Sequence, residues 1–111
     1  MGYSRAVVAG GHVYVSGTAP GMPDDADPPA DAYGQAQRCF EIILAALDQA
    51  GARAEDVVRT RIYVTSAEVF PDVARAHSEI FGEIRPVNTT VIAQLMDPRW
   101  YVEIDVEAVL P

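Results

Sequence analysis

The apolar residues of this chain change period twice. Ala36, Phe40, Ile43, Leu44 and Leu47 recur at the 3.6-residue spacing of a helix. Val57–Val64 then alternates with period two, with Val58, Thr60, Ile62 and Val64 on one side and Val57, Arg59, Arg61 and Tyr63 on the other. Phe70, Val73, Ala74, His77, Ile80 and Phe81 return to helical stacking. A chain built this way must lay helices on a sheet to bury both kinds of apolar surface.

The flanking residues punctuate these elements. Asp31 can cap the first helix and Gly51 stops it; Pro71 fits the first turn of the second helix and Gly82 ends it. Upstream, Ser4–Val8 and His12–Ser16 are short strands around Ala9-Gly10-Gly11, whose glycines supply the positive φ of a hairpin. Downstream, Asn88–Leu95 and Tyr101–Val109 alternate around Asp97-Pro98 and are expected to form a second hairpin. Thr18–Ala30, rich in Pro and Asp, reads as a mobile surface loop. The expected fold is α+β, in the order ββαβαββ, with two helices packed on one face of the sheet.

Composition narrows the function. A chain of 111 residues with half of them hydrophobic is expected to make a single domain over 1–111. It carries a net charge of −8, and all eight of its bases are arginine. Without lysine, Schiff-base catalysis, pyridoxal-phosphate chemistry and a phosphate-cradling P-loop are excluded. The acidic balance also disfavours nucleic acid. The single cysteine, Cys39, cannot make an internal disulfide, and the isolated His12 and His77 have no metal-ligand spacing. No basic-then-apolar leader and no run of about 20 apolar residues is present. The chain is therefore expected to be cytoplasmic, without metal and without a membrane partner.

The two faces of the expected sheet differ. Val13, Val15, Val58, Ile62, Val91, Val102, Ile104 and Val106 would face the helices. The other face would carry Tyr14, Arg59, Arg61, Tyr63, Asn88, Thr90, Ile92, Gln94, Tyr101, Glu103, Asp105 and Glu107. Such a mixture can face water, its Arg and Glu ladders being simple cross-strand pairs. It can equally form a polar interface between copies that leaves wet clefts.

Several stretches resemble the Rid (reactive intermediate deaminase) or YjgF family: Tyr3-Ser4-Arg5-Ala6-Val7, Val13-Tyr14-Val15-Ser16-Gly17, Ala50-Gly51-Ala52, Asp56–Val64, Arg85-Pro86 and Val102-Glu103-Ile104. The resemblance spans nearly the whole chain. It implies a chorismate-mutase-like fold, a homotrimer with ligand clefts between subunits, and cofactor-free hydrolysis of an unstable imine or enamine. It assigns substrate contacts to Tyr3, Ser16 and Gly17, a small polar position to Thr90, and the carboxylate that holds the hydrolytic water to Glu103. Where the family places an Arg that grips the substrate carboxylate, this chain has Asn88. An amide offers fewer donors and no charge, so the usual 2-imino-acid substrate is in question.

Each candidate has a plainer reading. Glu103 can act as a proton shuttle or pair with Arg59 or Arg61. Arg85 can swing into the cleft to replace the missing guanidinium or stay a solvent-exposed loop base. Arg5 is placed by alternation on the side of Val7, away from the cleft. His77 and Cys39 read as core residues, His12 has no evident partner, and Trp100 either rims a cleft or anchors a hairpin. The functional expectation is a deaminase-like hydrolase acting on a small-molecule metabolite in a homotrimer. The alternatives are a non-catalytic ligand-binding or regulatory trimer, and an endoribonuclease-like RNA binder, which a trimer at −8 per chain would oppose by long-range repulsion.

Overall fold

The computed structural model describes all of residues 1–111. Strands β1 (Ala6–Ala9) and β2 (His12–Thr18) form the first hairpin, followed by helix α1 (Ala32–Gln49), strand β3 (Val57–Val64), helix α2 (Phe70–Phe81), and strands β4 (Val87–Ile92) and β5 (Val102–Val109). Gly10 and Gly11 turn the first hairpin at φ 56° and 78°, so Ala9 pairs with His12 across a two-residue loop. Helix α1 begins where Asp31 Oδ1 accepts from the Gly34 amide at 2.7 Å. It ends in a Schellman motif: Gly51 adopts φ 89°, and the Ala52 and Gly51 amides donate to the Leu47 and Asp48 carbonyls.

The strands form one five-stranded sheet in the order β1-β2-β5-β3-β4. The expected second hairpin does not form. Instead β4 runs parallel to β3, as the α2 crossover requires, and β5 inserts antiparallel between β2 and β3. Asp97-Pro98 therefore lies in a crossing connection, not in a hairpin turn. Both helices cover one face. Phe40 of α1 and Phe81 of α2 meet edge to face at 5.7 Å above the buried Val13, Val15, Ile62, Val102, Ile104 and Val106.

Two valines expected on that face lie on the other. Val57 pairs with Ala108 and Arg59 with Glu107, so Val58 is the extra residue of a bulge. Val57 is consequently buried and Val58 exposed. Val91 stands opposite Tyr63 and is also exposed. The same register reverses the expectation for Asn88, Thr90 and Ile92, which pair with Thr60, Ile62 and Val64 and so share the parity of the helix side. β4 is an edge strand with neither face fully covered, so its apolar pattern does not specify its register.

The Pro- and Asp-rich segment is tied down at both ends. The Arg99 guanidinium meets Asp25, Asp27 and Asp97 at 2.8–3.2 Å, and the Arg38 Nε donates to the Gly21 carbonyl at 2.8 Å. No helix is long and apolar enough to cross a membrane.

Candidate functional site

Glu103 lies on the open face of β5, opposite Tyr63. Its carboxylate rests over Gly17: a Cβ at position 17 would come within 2.8 Å of Glu103 Oε2. This close approach occurs where the β2–β5 ladder is irregular between Val15 and Thr18. A larger residue at 17 would displace the Glu103 carboxylate from this position.

The expected pairing of Glu103 with Arg59 or Arg61 does not occur. Arg59 is matched with Glu107 at 3.9 Å, and Arg61 Nε donates to Asp105 Oδ1 at 2.9 Å. The Tyr63 hydroxyl donates to the other Asp105 oxygen at 3.0 Å. Asp105 is therefore saturated and buried on a face otherwise open to solvent. Glu103 makes no ion pair or side-chain hydrogen bond within the chain. Burial raises its carboxyl above the ordinary range, the Asp105 charge raises it further, and Arg5 partly offsets both.

Ser16, Gly17 and Tyr3 line an open groove of about 510 Å³ with Tyr14, Arg61 and Asp105, and Glu103 meets its edge at Gly17. Tyr3 is largely exposed above it. Arg5 lies elsewhere, lining a smaller groove between β1 and α1 with Ala6, Val8, Ala46 and Gln49. It precedes β1, so strand parity does not govern it, and its Nη1 donates to Thr18 Oγ1 at 2.7 Å.

Asn88 and Thr90 form a separate group. Asn88 Nδ2 donates to the Thr60 carbonyl at 3.2 Å and to Thr60 Oγ1 at 2.8 Å. Asn88 Oδ1 accepts from the Thr90 hydroxyl at 2.8 Å. Thr60 Oγ1 also lies 3.0 Å from His77 Nε2, which continues the chain under α2. His77 is wedged between Phe40 and Phe81, and burial lowers its basicity; it has a packing role, as does the fully buried Cys39, whose thiol burial pushes up. His12 stacks on Tyr14 with its Nδ1 buried and unpartnered. Trp100 lines a second groove with Thr65, Ile92 and Met96. Arg85 is exposed at φ 58° in the turn before β4 and makes no side-chain hydrogen bond or ion pair.

The candidate residues therefore fall into two groups that one chain does not bring together. β4 is two strands from β5, roughly 10 Å at normal strand spacing, and Thr90 and Glu103 leave the sheet on opposite sides. No group of three His, Cys, Asp or Glu side chains is placed to hold a metal ion.

The fold and the sequence match known proteins along nearly their full length. A family model described as Endoribonuclease L-PSP matches residues 1–110. An uncharacterized protein of Streptomyces coelicolor is 36% identical over 109 residues, covering 97% of this chain and 81% of its own. The crystal structure of a member of the YjgF/YER057c/UK114 family from Mycobacterium tuberculosis superimposes with a TM-score of 0.89 at 42% identity, covering 98% of this chain and 87% of that one. The TdcF protein of E. coli, crystallised with bound serine, superimposes with a TM-score of 0.89 at 25% identity, covering 98% and 88% of the two chains. The chain belongs to this family, the Rid or YjgF family of its sequence resemblance, and has its fold.

Proposed function

We propose that the chain is a cofactor-free, deaminase-like hydrolase of small imines or enamines, working in clefts between copies of itself in a homotrimer. The observation that carries this reading is the division of the candidate residues into two half-sites. Glu103, Gly17, Ser16 and Tyr3 form one half on the open face; Asn88, Thr90 and the nearby Arg85 would form the other at the β4 edge of a neighbouring copy. Exposed Val87, Val91 and Ile92 along that edge are in keeping with its being covered in an assembly. The serine in the E. coli relative supports a small polar metabolite as ligand.

In this reading Glu103 works on water. As the oxygen of a water molecule adds to the C=N carbon, the Glu103 carboxylate takes its proton and passes it to nitrogen. The hydroxyl proton of the resulting carbinolamine follows as the C–N bond breaks. Both water protons end on nitrogen, and ammonia and a carbonyl compound leave. An enamine enters the same route after tautomerising to the imine. A half-buried carboxyl with a raised affinity for protons suits this shuttle, because it gives and takes a proton closer to neutral pH than an exposed one.

The test is an assay in which an amino-acid dehydratase supplies the enamine and ammonia release is followed. The protein should accelerate release over water alone, and Glu103→Gln should lower that acceleration by about a hundredfold. No acceleration with any imine or enamine would overturn the catalytic reading.

One observation favours a second reading, a non-catalytic small-ligand-binding trimer. Both donors of Asn88 are spent inside the chain, so that half-site has no amide free to grip a substrate. This reading expects ligand-dependent stabilisation without turnover. The RNA-binding alternative has less support, since Arg59 and Arg61 on the open face already have carboxylate partners and three chains would carry −8 each.

A further inference from the structure

The hydrogen bonds of the candidate residues run in one direction in both half-sites. The Thr60 carbonyl can only accept, so the Asn88 contact at 3.2 Å must come from Nδ2. That sets the amide: Nδ2 also donates to Thr60 Oγ1 at 2.8 Å, and Oδ1 turns toward Thr90. The Thr90 hydroxyl therefore donates to Oδ1 at 2.8 Å, and its proton is spent. What Thr90 Oγ1 keeps for a ligand is its lone pairs. His77 Nε2, 3.0 Å from Thr60 Oγ1, backs the array from under α2.

The open-face half repeats this polarity. The Ser16 hydroxyl donates to the Arg5 carbonyl at 3.3 Å, so its proton is spent as well. Glu103, which meets the groove at Gly17, only accepts when ionised and has no side-chain partner in the chain. The nearby cations do not reverse the pattern. Arg59 and Arg61 are matched by Glu107 and Asp105, and Arg5 lines the separate groove against α1. Arg85, in the turn before β4, is exposed, and no side-chain contact fixes its charge at the site.

We infer that the cleft selects a cation: Thr90 Oγ1 of one copy and the Glu103 carboxylate of the next accept from the N–H groups of a small iminium, a protonated imine that bears no carboxylate. This inference rests on the cleft reading above and names its substrate class. An iminium of this kind presents two N–H donors and matches the charge of a half-buried carboxylate. A substrate carboxylate would meet lone pairs and a like charge instead. One Glu103 oxygen can hold the N–H while the other takes a proton from water. The iminium carbon is also more electrophilic than that of a neutral imine. It follows the route given above with one proton more: both water protons end on nitrogen, and ammonium leaves in place of ammonia.

Two measurements test it. The first compares two imines that differ only by a carboxylate: the simple imine made in place from propylamine by a flavin amine oxidase, and the 2-imino acid made from 2-aminobutyrate by an amino-acid oxidase. At neutral pH the wild-type protein should favour the simple imine by about tenfold or more in kcat/KM. Thr90→Val, which keeps the shape and removes the acceptor, should lose most of that preference, and Thr90→Ser should restore it. A wild-type preference for the 2-imino acid would overturn the inference, and its loss in Arg85→Gln would give the recognition to that base.

The second needs no turnover. Propylammonium should raise the melting temperature of the wild-type oligomer more than butyrate does at equal ionic strength, with about a tenfold weaker apparent affinity in Thr90→Val. Sedimentation of each variant checks that assembly is kept. Should no imine be hydrolysed while propylammonium binding still depends on Thr90, the catalytic proposal falls and the cation-selective cleft stands. Equal stabilisation by the two ions, or propylammonium affinity unchanged in a properly assembled Thr90→Val, would overturn it.

Discussion

The two faces of the sheet solve opposite problems. The helix-covered face closes on itself: Phe40, Ile43 and Leu47 from α1 and Val73, Ala76 and Phe81 from α2 seal it almost completely from solvent. The open face has no helix over it and keeps its charges in matched pairs, Arg59 with Glu107 and Arg61 with Asp105. Glu103 is left out of this matching. Where a face is closed by the chain itself, residues are chosen for volume; where it is left open, the unmatched groups are the informative ones. Substitutions on the first face should cost folding, and substitutions on the second should change assembly or chemistry.

The largest expected effect lies on the covered side. Phe40 is about 1% exposed and touches both His77 and Phe81 edge-on. Phe40→Ala should cost about 3–5 kcal/mol in denaturant unfolding, from lost burial plus the cavity left between the helices. On the open side, Asp105→Ala should cost less, about 1–3 kcal/mol, by stranding the half-buried Tyr63 hydroxyl and freeing Arg61. A loss at Asp105 equal to that at Phe40 would mean that the open face is as much a core as the covered one.

The contrast also accounts for what could be read from sequence. Where a helix face is buried on one side only, the pattern is strong: α1 begins and ends where Asp31 and Gly51 place it, and α2 where Pro71 and Gly82 do. The first hairpin was equally legible, because two glycines dictate its turn. β4 was not. Val87, Asn88, Thr89, Thr90, Val91 and Ile92 do not alternate cleanly, and an edge strand half exposed on both faces tolerates either parity. Its parallel pairing and the faces of Asn88 and Val91 follow from the α2 crossover, a tertiary fact. The bulge at Val58 escaped for a similar reason, since one inserted residue leaves the local apolar run intact. Of the site, Glu103, Ser16, Gly17 and Tyr3 were found through resemblance. Alternation set Arg5 on the side of Val7, yet Val7 lines the open groove while Arg5, ahead of β1, lines the one against α1.

Assembly gives an intermediate test. Val91 lies on the open face of the exposed edge strand and makes little contribution to the covered core. Val91→Glu should leave the subunit fold within about 0.5 kcal/mol, as for an ordinary surface change, while shifting sedimentation toward smaller species at micromolar concentration. A variant that still sediments with the wild type would remove the β4 edge from the subunit interface.

The smallest expected effect is the most specific to the open face. Burial raises the Glu103 carboxyl above its ordinary range, so the folded protein holds this proton more tightly than the unfolded chain does. By linkage its favourable contribution is complete below the ordinary carboxylate range and is lost as pH rises through the raised value, where the folded state must carry a poorly solvated charge. Glu103→Gln keeps the shape and removes the titration. Urea unfolding of the two proteins across this acidic window should therefore show the wild type losing stability relative to the variant as pH increases, with the difference constant above it. In the same window hydrolysis by the wild type should rise with pH, because only the carboxylate can accept the water proton. Stability and activity would thus move in opposite directions through one ionisation. A stability difference that stays flat with pH would mean that Glu103 is solvated as an ordinary surface carboxylate, and the distinction between it and its paired neighbours Asp105 and Glu107 would disappear.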